Sequence, residues 1–388
     1  MHSTKRRTIK MKLLHTSDWH LGAMDSERYL IDDQNHFIDE ICGIIESEKI
    51  DAVMIAGDVY DRSVASAEAI KLYDKAMTIV CKELRVPVIV IAGNHDGAER
   101  LESCSDLLAA GGLYVCGSIE KEVRKVSFDD TDIYMMPWIT EEKVKSIYPE
   151  FKDQITSIED AYKVVAKKMT EDFNPAKKHI LIAHAFITDS ETSTSDRAAV
   201  IGSATQVSAK VFDAFDYVAL GHLHKPQDVN DSIRYSGTPM VYSFGKEEEQ
   251  EKSVTVIDTD SMQRNIIPLH PLHKRTTLIG TLDELLNPKY DEETIQGFVK
   301  LKVTDKAVGL SNLTQLREVY PNLFECESKG FEAENSTIKL TVEEYEKMHT
   351  DPVKVFESFC REICDIEPDE RLKGLFDSAV MKAEEEKL

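Results

Sequence analysis

The sequence predicts an α/β protein, with a layered-sheet domain first, a small α+β domain after it and helices at the C-terminus. Three observations predict this. Over the first two-thirds of the chain, short β-rich runs alternate with longer helical patterns. Around Pro268–Pro271 the alternation gives way to shorter, mixed candidates. From Glu343 onward the apolar residues recur at helical spacing.

Taken in order, residues 1–10 are basic (Lys5, Arg6, Arg7, Lys10). They are expected to form a disordered extension, or to reflect a mis-assigned start with Met11 as the true one. Residues 11–265 form the expected sheet domain. Its strand-like runs are Lys12–Thr16, Ala52–Ala56, Val86–Ala92, His179–Ala183 and Asp216–Leu220. A helix over Tyr29–Lys49 is predicted by Phe37, Ile41, Ile44 and Ile45, and a second over Ser66–Leu84 by Ile70, Tyr73, Met77 and Val80 on one face. The segment Thr188–Ser195, rich in Ser and Thr, reads as a mobile loop.

Residues 266–341 offer strands at Thr276–Ile279, Gly297–Val303 and Ile338–Thr341 and a helix near Asn312–Tyr320. They hold no convincing ligand cluster, so a role in shaping a substrate groove is expected. Residues 342–388 carry two amphipathic stripes separated by Pro368. One runs through Val353, Phe356, Cys360, Ile363 and Cys364, the other through Leu372, Leu375, Phe376, Ala379, Val380 and Ala383. Such helices either fold back on the core or dock into a partner.

At 388 residues the chain fits two or three domains. With 42% hydrophobic and 30% charged residues it reads as globular and soluble, not disordered. No apolar run approaches the roughly 20 residues that span a bilayer, and the first ten residues lack an apolar signal core. Seven scattered cysteines form no CxxC pair. Cys360 and Cys364 lie one helical turn apart on an apolar face, so buried thiols in a reducing cytoplasm are expected, not a disulfide or a zinc site. The net charge of −23 argues against binding nucleic acid by bulk charge. Any grip on DNA must come from a local patch, from bound metal or from a partner.

The strongest signal is a repeated arrangement. Five apolar runs end in candidate metal ligands: Asp18 and His20, Asp58, Asn94 with His95, His184, and His222 with His224. Groups at the carboxyl ends of strands in α/β sheets converge on one rim. Asp and Asn oxygens with neutral imidazoles, and no thiolate, suit manganese or iron better than structural zinc. These seven ligands (His95 apart) are too many for one ion and suit two that share a carboxylate. Two ions roughly 3.5–4 Å apart can activate a water and hold phosphoryl oxygens, so phosphate-ester hydrolysis is the natural reaction. Gly57, Gly93 and Gly221 each precede a ligand, where the chain must leave its strand without a Cβ in the way. The other histidines (His15, His36, His179, His270, His273, His349) are assigned to structure or surface.

His95 is placed to act as general acid toward the leaving group, with Asp96 expected to orient its other nitrogen. Arg62 is either a phosphate clamp or half of a surface salt bridge.

Read together, D-x-H, GDxxDR, GNHD, a lone strand-end His and GHxH resemble the calcineurin-like metallophosphoesterases. The strings HTSDWHLG, GDVYDRS, IAGNHD, YVALGHLHKPQ and RYSGTPMVYSFGKEE resemble the SbcD-like nuclease subunits among them, closely over residues 11–250 and by layout beyond. The resemblance implies a four-layered αββα core with two manganese ions, for which magnesium or iron can substitute. Asp18, His20, Asp58 and His224 would hold one ion, and Asp58, Asn94, His184 and His222 the other. His95 would be the catalytic histidine. Where archaeal and eukaryotic relatives carry a second His after the bridging Asp, this chain has Asp61, a candidate for contacting the phosphate or supporting a ligand. Also implied are a homodimer within a heterotetramer, an SbcC-type ATPase docked on the helices near Asp351–Phe359 and Leu372–Ala383, and ATP acting only through that partner. The implied activity is ATP-dependent 3′–5′ exonuclease on duplex ends and endonuclease on single strands and hairpins, in DNA repair, recombination and replication.

Two other readings stand beside this one. A phosphatase acting on a small molecule or a protein could use the same core, since fold does not fix function. Phosphatases of this kind usually read GNHE where this chain has GNHD. A non-enzymatic scaffold would be expected to have lost ligands, and none is lost.

Overall fold

The apolar runs assemble into two six-stranded sheets. The computed structural model describes residues 11–25, 28–196, 206–328, 356–357, 360 and 367–385. The N-terminal extension, the strand expected at Ile338–Thr341, most of the helix expected at Asp351–Phe359, His349 and Cys364 lie outside the described residues. The chain divides after Leu272 into two units.

The strands of the first unit that build its two main sheets are β1 (Lys12–Thr16), β2 (Ala52–Ala56), β3 (Val88–Ile91), β4 (Leu113–Cys116), β5 (Lys125–Ser127), β6 (Thr131–Met136), β7 (Lys178–His184), β8 (Tyr217–Gly221), β9 (Gln227–Asp228), β10 (Ile233–Tyr235), β11 (Ser253–Asp258) and β12 (Arg264–Pro268). One sheet runs β12–β11–β1–β2–β3–β4 and the other β9–β10–β8–β7–β6–β5. Strands β1 to β4 are mutually parallel, as are β6, β7, β8 and β10, with antiparallel strands only toward the margins. The register sets Thr16 beside Ile55, Ala56 beside Ile91 and His184 beside Gly221, so the carboxyl ends of β1, β2 and β3, and those of β7 and β8, finish level. Strand β12 spans residues 264–268 and pairs with β11, which keeps it in the first sheet.

The two sheets pack face to face through Leu13, Met54, Ile89 and Ile91 on one side and Ile133, Met135, Ile180 and Ile182 on the other. Their outer faces are buried too, as parallel sheets require. Helices α1 (Ile31–Glu48) and α2 (Ala67–Met77) pack beside each other. With them go the buried outward residues Leu14, Val53, Ile55 and Val90 of the first sheet. On the second sheet, Leu181, Ala183, Val218 and Leu220 share a core with Ala161, Tyr162, Val165 and Met169 of α3 (Ile158–Thr170). This is the four-layered αββα arrangement.

The expected face of the second helix holds at Met77 and Val80, both buried, and differs at Ile70. Ala69, Leu72, Ala76 and Met77 are buried, whereas Ile70 is 52% exposed and lines a groove with Tyr73, Leu107 and Leu108. After Met77 the helix widens into a π-turn over Thr78–Glu83.

In the second unit, three parallel strands, β13 (Arg275–Gly280), β14 (Phe298–Val303) and β15 (Leu323–Ser328), form a sheet in that order. Leu278, Val299, Leu301, Leu316 and Tyr320 make its core with the helix Leu310–Val319. A further helix runs Glu370–Glu385, where Phe376 stacks on Phe356 at 4.1 Å and Leu375 is 60% exposed.

Candidate metal centre

Each ligand candidate leaves its strand on a short, unusual turn. Asp18 and His20 follow β1, Asp58 follows β2, Asn94 follows β3, His184 ends β7, and His222 and His224 follow β8. The turns after β1 and β2 remain paired beyond the sheet: Asp18 N donates to Gly57 O and His20 N to Asp58 O, both at 3.0 Å. Four of these residues occupy the left-handed region: Asp18 (φ 53°), His20 (44°), Asp58 (49°) and His222 (106°). Non-glycine residues pay about 1–3 kcal/mol each to sit there, a strain that concentrates at functional sites.

Two glycines are required for a definite reason. Gly57 has φ 87°, and a Cβ on it would lie 2.4 Å from His184 Nδ1. A Cβ on Gly221 would lie 1.9 Å from the Ala56 carbonyl oxygen. Gly221→Ala must therefore push β2 and β8 apart, and a loss of about 1–3 kcal/mol in urea unfolding is expected. Gly43→Ala, in α1 with open space around it, should instead gain about 0.5–1 kcal/mol. Equal effects at the two positions would show that the close approach at Gly221 is not real.

All seven sequence-predicted ligands come together. Asp18, His20 and His224 lie within 4.8 Å of one another, as do Asp18, Asp58 and His184. Asn94 Oδ1 is 3.0 Å from His184 Nε2 and 2.9 Å from His222 Nδ1. His20 Nε2 is 3.1 Å from His224 Nε2 and 3.9 Å from Asp58 Oδ2. Asp58 therefore faces both halves of the cluster. Main-chain donors fix the carboxylates: His222 N donates to both Asp18 oxygens (3.0 and 3.1 Å) and His95 N to Asp58 Oδ1 (2.8 Å).

The protonation pattern fits a cation. His184 Nδ1 lies 2.8 Å from the Ala56 carbonyl, so it carries the proton and donates it. The Nε2 lone pair of the neutral ring is then set against two acceptors, Asn94 Oδ1 and, at 3.4 Å, Asp58 Oδ2. A proton or a metal ion between them resolves that contact. Burial alone would lower the His184 pKa, but the Asp58 carboxylate, with help from Asp18, raises it to about 9. A metal ion satisfies the same demand as that proton. Burial pushes the Asp18 carboxyl up to about 8, while Asp58, despite its own burial, is held well below the usual range by His184, His95 and His20. Burial lowers His20 and His222 to about 3, which keeps them neutral, the form that binds metals. His20 Nδ1 has no hydrogen-bond partner and lies 3.9 Å from Asp61 Oδ1.

The helpers are arranged differently from expectation. Asp96 does not orient His95. Its carboxylate accepts from the main-chain N–H groups of Val59, Tyr60 and Gly93 (3.1, 2.9 and 2.9 Å) and clamps two ligand loops together. His95 Nδ1 instead meets the main-chain carbonyl of Asp61 at 3.1 Å. A backbone oxygen does the orienting, and no side-chain motif advertises that. Arg62 is 68% exposed and pairs with Asp61 at 3.3 Å, the surface-bridge alternative.

Several contributors were not anticipated. Trp138, half-buried, stacks on His222 at 5.2 Å. Gln34 accepts from Gly22 N and donates to the His20 carbonyl, and Tyr242 caps the Trp19 carbonyl. Ser195, Asp196, Glu247 and Lys252 gather around His224. Within the Thr188–Ser195 segment, Ser193 N donates to Asp196, and the Ser193 hydroxyl pairs with Gln250. His15, sandwiched between the sheets, bonds the Tyr217 hydroxyl and the Leu220 carbonyl and is structural.

Carboxylate, amide and imidazole donors gathered at one rim of an αββα sandwich define a metal-dependent phosphoesterase. The chain belongs to the calcineurin-like phosphoesterase family, which its residues 11–226 match, and so is a hydrolase acting on phosphoester bonds. Within that family it is 32% identical over 327 residues to the D subunit of the nuclease SbcCD from Staphylococcus epidermidis, covering 83% of this chain and 86% of that one. Among solved structures it is similar to TT1561 of Thermus thermophilus (11% identity, TM-score 0.38, 67% of this chain and 99% of that one). A dimetal phosphatase from Danio rerio is similar as well (11%, 0.39, 67% and 99%). Among the described residues, no helix is long and apolar enough to cross a membrane.

Proposed function

We propose that this chain is the nuclease subunit of an SbcCD-type complex, hydrolysing DNA phosphodiesters with two manganese ions. The observation that carries this reading is the Asp58-centred cluster, in which seven carboxylate, amide and imidazole donors converge and Asp58 faces both halves. The kinship with an SbcCD nuclease subunit over most of both chains supports DNA as the substrate. Asp18, His20, Asp58 and His224 hold one ion, and Asp58, Asn94, His184 and His222 the other. When bound, the pair supplies the positive charge that polarises the phosphoryl group and activates a water for in-line attack.

The protein's own groups do the rest. The Ala56 carbonyl fixes the His184 tautomer. His95, with Nδ1 occupied by the Asp61 carbonyl, keeps Nε2 to exchange a proton with the leaving oxygen. The net charge of −23 leaves the grip on DNA to local groups, to the ions and to an ATPase partner. That partner docks on the C-terminal helices, where the Glu370–Glu385 helix keeps Leu375 exposed.

The test is cleavage of a labelled hairpin and a blunt duplex by the purified chain, with manganese or a chelator, and with or without an SbcC-type ATPase and ATP. Manganese-dependent cutting that the ATPase stimulates is the expected result. Hydrolysis of a generic phosphodiester with no cutting of DNA, even with the ATPase present, overturns the substrate and leaves the metal centre standing.

A further inference from the structure

His222 is held by packing, where each of the other three imidazole donors has a polar group at its second nitrogen. His184 Nδ1 meets the Ala56 carbonyl at 2.8 Å, His224 Nδ1 meets Ser195 Oγ at 2.6 Å, and His20 Nδ1 faces Asp61 Oδ1 at 3.9 Å. His222 turns Nδ1 toward Asn94 Oδ1 at 2.9 Å, and among the described residues no hydrogen bond holds its Nε2. Three rings enclose it instead. The Trp138 indole lies nearly parallel to it, 5.2 Å away at 25°. The His184 ring stands edge-on at 5.1 Å, and Phe186 tilts against it at 5.9 Å.

The last torsion of a histidine side chain is soft, so an imidazole with no hydrogen bond on its outer nitrogen must take its plane from its neighbours. Metal-binding histidines ordinarily take it from such a bond. An offset stack supplies a comparable restraint, because rotating either ring out of plane gives up the contact. Here the stack fixes the plane, and the Asn94 contact decides which edge turns inward. Trp138 is itself anchored. Its main-chain N donates to Ala92 O at 2.9 Å, two residues before Asn94, so this link between the sheets survives replacement of the indole. The two donors beside the indole, His222 and, at 6.0 Å, His184, belong to the same proposed ion.

We infer that Trp138 is a positioning residue for one ion of the pair: its indole face, in place of a hydrogen bond, holds the His222 ring in the plane that presents Nδ1 to a cation. This rests on the two-ion reading above and deepens it. The effect falls on the ion shared by Asp58, Asn94, His184 and His222. The ion shared by Asp18, His20, Asp58 and His224 draws on imidazoles that Asp61 and Ser195 adjoin, and it does not depend on the indole.

The test is manganese titration of the metal-stripped, full-length chain, with free ion followed by electron paramagnetic resonance. Wild type should take up two ions, and His222→Ala, which removes the ligand itself, marks the step that depends on this ring. Trp138→Leu, which fills space without a flat face, should weaken that step about 10-fold and leave the other unchanged. Trp138→Phe, which keeps a ring face, should stay close to the wild-type isotherm. Three results overturn the inference while the two-ion reading survives: a Trp138→Leu isotherm equal to wild type, one weakened alike at both steps or only at the other step, or a Trp138→Phe isotherm no better than that of Trp138→Leu. A wild-type chain that takes up no manganese overturns both.

Discussion

Replacing His95 with alanine is expected to lower turnover on DNA by about 10²–10⁴-fold and to leave the uptake of two manganese ions per chain unchanged. The structure separates these effects. The bond that matters for the metal centre is made by His95 N, which donates to Asp58 Oδ1 at 2.8 Å and survives truncation of the ring. The ring lies with its side chain 8% exposed, its Nδ1 committed to the Asp61 carbonyl and its Nε2 4.0 Å from Asp58 Oδ2. On the proposed assignment its loss would remove a proton-exchanging group and leave all seven assigned donors in place. Equal turnover in wild type and variant would dismiss His95 as the acid. Loss of an ion along with activity would make it structural.

The second large effect falls on stability. Glu247→Gln leaves the Lys252 ammonium, whose side chain is 4% exposed, without its carboxylate. Removing one partner of a buried ion pair costs about 3–5 kcal/mol, to be read as a lower urea midpoint. Lys252→Met in the same chain should recover part of that loss, since the uncompensated charge goes with it. A double variant no more stable than Glu247→Gln would refute the ion-pair explanation. The pair also has a pH signature. Burial would raise the Glu247 carboxyl, but Lys252, with Ser195 and Ser243, holds it below the usual glutamate range. A depressed folded pKa stabilises the protein above the unfolded value, near ~4.3. That stability is lost as pH falls from there through the folded pKa. Wild type should show this acid-side loss, and Glu247→Gln should lack it.

What the sequence made legible was the part where local pattern and chemistry coincide. The strands β1, β2, β3, β7 and β8 are apolar runs, each closed by a glycine or a ligand, so their ends could be read directly. Strands such as β6, which begins Thr131–Asp132, and the two-residue β9 carry no comparable signal; tertiary pairing makes them strands. In α2 and its π-turn, periodicity found the buried Met77 and Val80 but not Ala69 and Ala76, because it follows large apolar side chains and alanine is too small to mark a face. Around the ligands, the outer contacts were invisible for another reason. Ser195 and Glu247 are common residue types 29 and 23 positions from His224, and a Ser/Thr-rich stretch looks the same whether its hydroxyls face water or a buried histidine. The Asp61 carbonyl that orients His95 is backbone, and backbone has no sequence signature.

The seven donors are divided between two bodies: the first sheet carries Asp18, His20, Asp58 and Asn94, and the second carries His184, His222 and His224. Ions seated there act as rivets through a seam. Because each proposed coordination sphere draws on both sheets, a shear between the layers would change the distances from an ion to the donors of the opposite sheet, with no ligand touched. On the proposed assignment, catalytic competence in such a sandwich would be a mechanical property of the seam, open to any force that leans on one layer and not on the other.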